Sequence, residues 1–310
     1  MEKSMANSRI DLSRFLQMRL NVYLAYLLPR RIYQTYLYLL GVYYYLIRHK
    51  EFKDISDSIR DALHTIYDKT EINNIILRTY FGIVDHYYEK LVNAHKPALK
   101  TINYLVSNIS IINKDWLDDL KSQNKGCLLL TGHFGAVEYL PAFLAGSGYQ
   151  PSMIVRFKTN KLREVLIKKS KIVGIELIDA DAPNVAQNAL KAIRNGRILI
   201  TLFDEFKHWR PYINKSIDVF GECIPQDRTL DVLCKRTNAP ACLALMYRQR
   251  KKYVLKIDPI CLESKNLSIV ECSWKMLEKQ IFRNPDQWYQ WQDFRKVIAM
   301  YLRTGKIDAY

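Results

Sequence analysis

The six cysteines form no C-x-x-C pair and no short metal-ligand spacing, which argues against a structural zinc site. Several lie inside apolar runs, so they read as buried reduced thiols of a cytosolic protein. No apolar run reaches the approximately 18–20 residues that cross a bilayer. Residues 1–14 are polar and lack the apolar segment of a cleavable signal peptide. There is no internal repeat and no low-complexity linker. Acids are in deficit, with 31 Asp and Glu against 47 Lys and Arg, a formal charge of +16. That imbalance implies an acidic partner: nucleic acid, an anionic membrane surface or an acidic carrier protein. No basic–aromatic repeat or binding motif supports nucleic acid.

At 310 residues the chain suffices for one large α/β domain, or one with a helical extension. Tyrosine is frequent at 21, much of it near the N-terminus, and such amphipathic rings favour interfaces between apolar and wet surroundings. Two apolar, aromatic patches, residues 22–28 and 36–47, flank Pro29-Arg30-Arg31. They read either as helices lying in a membrane interface with arginines at the headgroups, or as a hairpin packed on the protein's own core. Residues 52–120 are amphipathic and helical, and His86 and His95 read there as core or surface residues, with no chemistry assigned. Beyond residue 120, strand-like and helix-like segments alternate. Strands are expected at 152–156, 174–178, 198–204, 241–247 and 253–260, and helices at 160–173, 183–195, 228–236, 267–282 and 285–302. This pattern predicts an α/β fold with a mostly parallel central sheet flanked by helices. The expected division is a helical N-terminal region, 1–120, and an α/β core, 121–310.

The richest stretch is CLLLTGHFGAVE, residues 127–138. A buried strand ends in Thr131-Gly132-His133-Phe134-Gly135, and a helix is expected from Ala136 to Leu144. His133 therefore stands at a strand-to-helix loop, where α/β folds display reactive groups. If Glu138 lies in the first helical turn, its carboxylate reaches back to the imidazole and fixes its tautomer, which suits a general base. The alternative is a loop histidine capping a helix near a surface glutamate.

TGHFGAVE resembles the His-x4-Asp/Glu signature of the glycerolipid acyltransferase superfamily, and more narrowly the GHFGNWE motif of the bacterial lipid A biosynthesis acyltransferases, the lauroyl and myristoyl transferases. Ala136-Val137 replaces the family's Asn-Trp. The resemblance extends over about residues 29–296 through Arg156 after the second strand, Asp204 in LITLFDE, Phe220-Gly221 ahead of Thr229, Arg236 to Ala241, and Pro285-Asp286-Gln287-Trp288. The family's terminal histidine and paired arginines are replaced by WQDFRK.

The resemblance implies acyl transfer from an acyl carrier protein or coenzyme A thioester to a hydroxyl or amine of a lipid-like acceptor. His133 and Glu138 would be the catalytic pair, with no metal or other cofactor. Arg156, or backbone N–H groups near Gly135, would hold the oxyanion. Asp204 would orient Arg156 or a substrate, or simply cap the Glu205-Phe206 turn. Within the basic run 156–171, Lys161, Arg163, Lys168 and Lys169 would receive an acidic carrier or anionic headgroups, unless they form a plain solvated face. The expected location is cytoplasmic and peripheral, on the inner face of the cell membrane. A non-enzymatic lipid-binding protein of the same fold and a thioesterase are the competing readings.

Overall fold

The computed structural model describes residues 18–157, 160–206, 209–249, 252–260 and 268–304. Helices α1 (Arg19–Leu27) and α2 (Arg30–Ile47) are separated at Pro29, which has no N–H to give and keeps Leu28 extended. Next come α3 (His49–Leu63) and α4 (Lys69–His95). A reciprocal cap starts α4: Asp68 accepts from the Glu71 N–H at 2.8 Å, and Glu71 accepts from the Asp68 N–H at 3.1 Å. Helix α5 (Ala98–Asn108) leads into β1 (Ile109–Ile112).

The core continues with α6 (Lys114–Ser122), β2 (Cys127–Thr131), α7 (Leu140–Gly146), β3 (Pro151–Val155), α8 (Asn160–Ile172), β4 (Glu176–Asp179), α9 (Val185–Arg194) and β5 (Ile198–Leu202). A hairpin follows, β6 (Pro211–Val219) and β7 (Glu222–Asp227), then α10 (Thr229–Thr237), β8 (Ala241–Gln249), β9 (Lys252–Pro259), α11 (Ile269–Arg283) and α12 (Trp291–Thr304). The seven-stranded sheet has the order β1-β9-β8-β2-β5-β3-β4. Strands β8, β2, β5, β3 and β4 run parallel; β9 reverses against β8, and β1 follows β9. The mostly parallel, helix-flanked sheet is thus the one the alternation implies. Because helices cover both faces, β2 is apolar and buried from Cys127 to Leu130 without alternation.

Three features depart from expectation. Strand β1 and the β6–β7 hairpin lie in stretches where polar side chains interrupt the apolar pattern; the middle of β6 is exposed. The helix after the motif starts at Leu140, because the Ala136 N–H bonds the Met246 carbonyl at 2.8 Å and leaves residues 137–139 as a single 3-10 turn. The expected final helix is broken: a 3-10 turn at Pro285–Gln287 opens into extended Trp288, which bridges Phe134, before α12 begins.

The N-terminal segment packs inward through Tyr33, Leu37 and Tyr44, in one apolar core that continues to Leu128 and Leu245. Its outward face is also apolar, with Leu20, Tyr23, Ile32, Val42 and Tyr43 exposed, Leu39 67% and Leu46 73% exposed. Among the described residues no helix is long and apolar enough to cross a membrane.

Candidate active site

Strands β2 and β5 are parallel neighbours in the register Thr131 to Leu202. His133 and Asp204 each stand two residues past that last pair, so they emerge side by side at the carboxyl edge of the sheet. The Asp204 carboxylate grips the loop twice: Oδ2 accepts the His133 backbone N–H at 2.7 Å, and Oδ1 lies 2.8 Å from His133 Nδ1. Trp288 Nε1 donates to the same Oδ2 at 2.9 Å. Asp204 is fully buried, whereas the His133 side chain keeps 20% of its surface exposed. A buried acid beneath an accessible imidazole puts a proton on Nδ1 and leaves Nε2 with its lone pair. Glu205 lies 3.8 Å from that Nε2. The Gln290 side-chain amide lies 2.8 Å from Nδ1; with a proton there, its carbonyl end is the one that faces the ring. Burial pulls the His133 pKa down, but the charge and hydrogen bond of Asp204, with Glu205 beyond, outweigh it, so the imidazole titrates above its ordinary value.

Glycine shapes the loop at two positions. A Cβ on Gly132 would stand 3.0 Å from Asp204 Oδ2. Gly135 has a φ of +56°, and a Cβ there would fall 1.9 Å from the Met246 carbonyl oxygen, so only glycine lets the loop bridge to β8.

Glu138 does not take the place expected for it. It lies on the 3-10 turn with Oε1 3.6 Å from His86 Nε2 and 3.5 Å from Lys90 Nζ, both on α4. The acid that meets His133 is Asp204, because strand adjacency and not helical proximity sets the pairing. Gly135 offers no oxyanion donor: its N–H bonds the Gln287 carbonyl at 2.7 Å, and the N–H groups of His133, Phe134 and Ala136 are also engaged. Arg156 ends β3 but pairs with Asp181, beyond the β4 edge of the sheet and away from β2. The geometry therefore does not join it to His133.

In the basic run, Arg163 pairs with Asp179 at 3.1 Å, and Lys168 is exposed. Lys169 is withdrawn from the surface role: its ammonium donates to the carbonyls of Asn93 and Lys96 at the end of α4, and burial lowers its pKa to about 8. The side chain of Lys161, like Lys158 and Cys261, lies outside the described residues.

Several site residues carried no chemistry in the sequence reading. His86 is buried, its ring centroid 6.5 Å from that of His133 and 5.1 Å from Tyr289. Behind it Glu89, also buried, takes a bidentate grip from Arg248 at 2.7 and 2.6 Å. Arg248 also donates to the Tyr289 hydroxyl, which donates to the Gly135 carbonyl at 3.0 Å. The Tyr289 N–H bonds the His133 carbonyl at 3.0 Å. Residues 287–290 thus frame the motif loop. The available signal was His86, Glu89 and Lys90 at i, i+3 and i+4 on one face of an amphipathic helix.

A comparison with curated protein sequences finds no match. The model of the family described as "Bacterial lipid A biosynthesis acyltransferase" matches residues 76–293, more than half the chain, from the middle of α4 through the start of α12. That span holds His86, His133, Asp204 and the Gln287–Gln290 frame. The chain therefore belongs to the bacterial lipid A biosynthesis acyltransferase family and is an acyltransferase.

Proposed function

We propose that His133 is the general base of acyl transfer from a thioester, carried on acyl carrier protein or coenzyme A, to a hydroxyl or amine of a lipid-like acceptor. The observation that carries this reading is the imidazole held through Nδ1 by a fully buried aspartate, with Nε2 turned to the exposed Glu205 carboxylate. Nε2 takes the acceptor's proton as its oxygen or nitrogen attacks the thioester carbonyl. The tetrahedral intermediate expels the thiolate, and the imidazolium returns the proton to that sulfur. The negative charge of Asp204 stabilises the imidazolium between the two transfers. The N–H groups of residues 133–136 are engaged elsewhere, and we assign the oxyanion to a cation. Among the described residues Lys90, 3.5 Å from Glu138, has a charge that acts on both His133 and His86. Donor and acceptor meet in one ternary complex, and the thioester is the only co-substrate.

The exposed apolar face of α1 and α2 supports attachment to the surface of a membrane, with Arg31, two residues past Pro29, at headgroup level. The excess of basic residues favours an anionic surface, and we place the chain on the cytoplasmic face. Lys168, exposed on α8 with Arg163 and Lys171, supports a role for the basic run in meeting an acidic carrier. The test supplies purified protein with labelled acyl-carrier-protein thioester and an under-acylated lipid A, and reads acylated lipid by mass spectrometry. Labelled lipid product supports the reading. Free fatty acid without acceptor indicates a thioesterase, and vesicle binding without turnover indicates a lipid-binding protein.

A further inference from the structure

The motif glutamate has no contact with the motif histidine, yet it does not point to empty solvent. It faces His86, a residue of α4 with 7% of its surface exposed, whose Nδ1 is buried with no hydrogen-bond partner. Buried polar atoms are almost always paired, and an exception beside a reactive group calls for an explanation, of which a catalytic role is one. His86 is ringed by Lys90 and Glu138 at its Nε2 end, and by His133, Arg248 and Tyr289 on its other sides. Burial, then the charges of Lys90 and Arg248, joined by that of His133 when it is protonated, disfavour a second proton on it. A neutral imidazole has one N–H and one lone pair. The negative charge of Glu138, 3.6 Å from Nε2, favours the N–H at that end, which leaves the lone pair on Nδ1, the atom without a partner.

We propose that His86 Nδ1 accepts a hydrogen bond from the acceptor's nucleophilic hydroxyl or amine, and that Glu138 acts as a positioning residue that fixes the His86 tautomer. This rests on the acyl-transfer reading of His133. Two imidazoles with bare nitrogens then serve one incoming group: His86 orients it, and His133 removes its proton.

The test uses the full chain in detergent micelles, with acyl-carrier-protein thioester as donor and an under-acylated lipid A as acceptor. His86→Phe keeps the ring and loses the nitrogen; His86→Asn returns an acceptor oxygen close to the Nδ1 position. The expected result for His86→Phe is an acceptor KM raised roughly tenfold or more, with the donor KM unchanged. His86→Asn recovers a large part of that loss. A wild-type acceptor KM in His86→Phe overturns the proposal, as does an equal loss in both variants, which a purely structural role would produce. Nitrogen NMR of imidazole-labelled protein decides independently of turnover. Wild type should hold its His86 proton on Nε2, and Glu138→Gln should mix the tautomers. A proton on Nδ1 in wild type overturns the proposal even where no transfer is seen, whereas absent wild-type transfer counts against the acyl-transfer reading itself.

Discussion

Replacing Asp204 by Asn tests the site where its geometry is most constrained. The carboxylate serves three donors: Oδ2 takes the His133 and Trp288 N–H groups at 2.7 and 2.9 Å, and Oδ1 faces His133 Nδ1 at 2.8 Å. Asparagine has one carbonyl oxygen, and it satisfies most donors by placing that oxygen at the Oδ2 position. Its NH2 then points at Nδ1 and needs a lone pair there, which drives the histidine proton to Nε2. A base with its proton on the wrong nitrogen cannot accept another at that nitrogen. The expected loss in kcat is on the order of 10³–10⁴-fold, the scale seen when the aspartate of a histidine triad is neutralised. Losing the charge also removes the attraction that raises the His133 pKa, so burial then lowers it. In wild type the base is active when neutral, so kcat should rise with pH through a midpoint above the ordinary histidine value of about 6.5. In Asp204→Asn the residual rate should have its midpoint below that value. Stability should fall by roughly 1.5–3 kcal/mol, the value of a hydrogen bond to a charged group, and not more, because the loop contacts to Oδ2 persist. The assay is kcat against pH from about 5 to 9, a range that brackets the ordinary histidine value, with thermal unfolding as the control. Wild-type turnover and an unshifted midpoint in a folded Asp204→Asn protein would refute the reasoning.

Other expectations follow from named contacts. Glu89→Gln leaves Arg248 buried without its counter-charge, and should cost about 3–5 kcal/mol in chemical unfolding. It should also loosen Tyr289 and the motif loop, so kcat should fall with it. Lys169→Met should lower the melting temperature by removing the ammonium that caps α4, whereas Lys168→Glu should leave stability unchanged and raise the KM for carrier-bound donor. Equal behaviour of the two variants would remove the distinction between them. Leu39→Glu with Leu46→Glu should weaken co-sedimentation with anionic vesicles without altering the melting temperature, since both side chains are exposed. Undiminished vesicle binding would place the membrane contact elsewhere.

Much of the architecture was legible in the residues because the helical and strand periods differ and the glycines punctuate them. His133 and Asp204 each follow an apolar run that ends abruptly, and this marks strand ends on one edge. What local spacing does not contain is which strands are neighbours. The pairing of β5 with β2, and with it the choice of Asp204 over Glu138, is a long-range fact. The same limit hid Trp288 and Gln290, which lie 84 and 157 positions from the groups they touch. The turn at residues 137–139 was misjudged for a related reason: Ala136 gives its N–H to Met246 across the sheet and not to a helix. His86 was legible only as a polar residue on an apolar helix face, a pattern that core histidines share.

The most direct measurement is acyl transfer by His133→Ala. With acyl-carrier-protein thioester and an under-acylated lipid A, the variant should fold as wild type does and bind donor with unchanged KM. Its kcat should be reduced by about 10²–10⁴-fold, the usual contribution of a general base. Transfer at the wild-type rate in that protein would contradict the assignment of the base, and with it the role of Asp204 as the acid that holds and charges it.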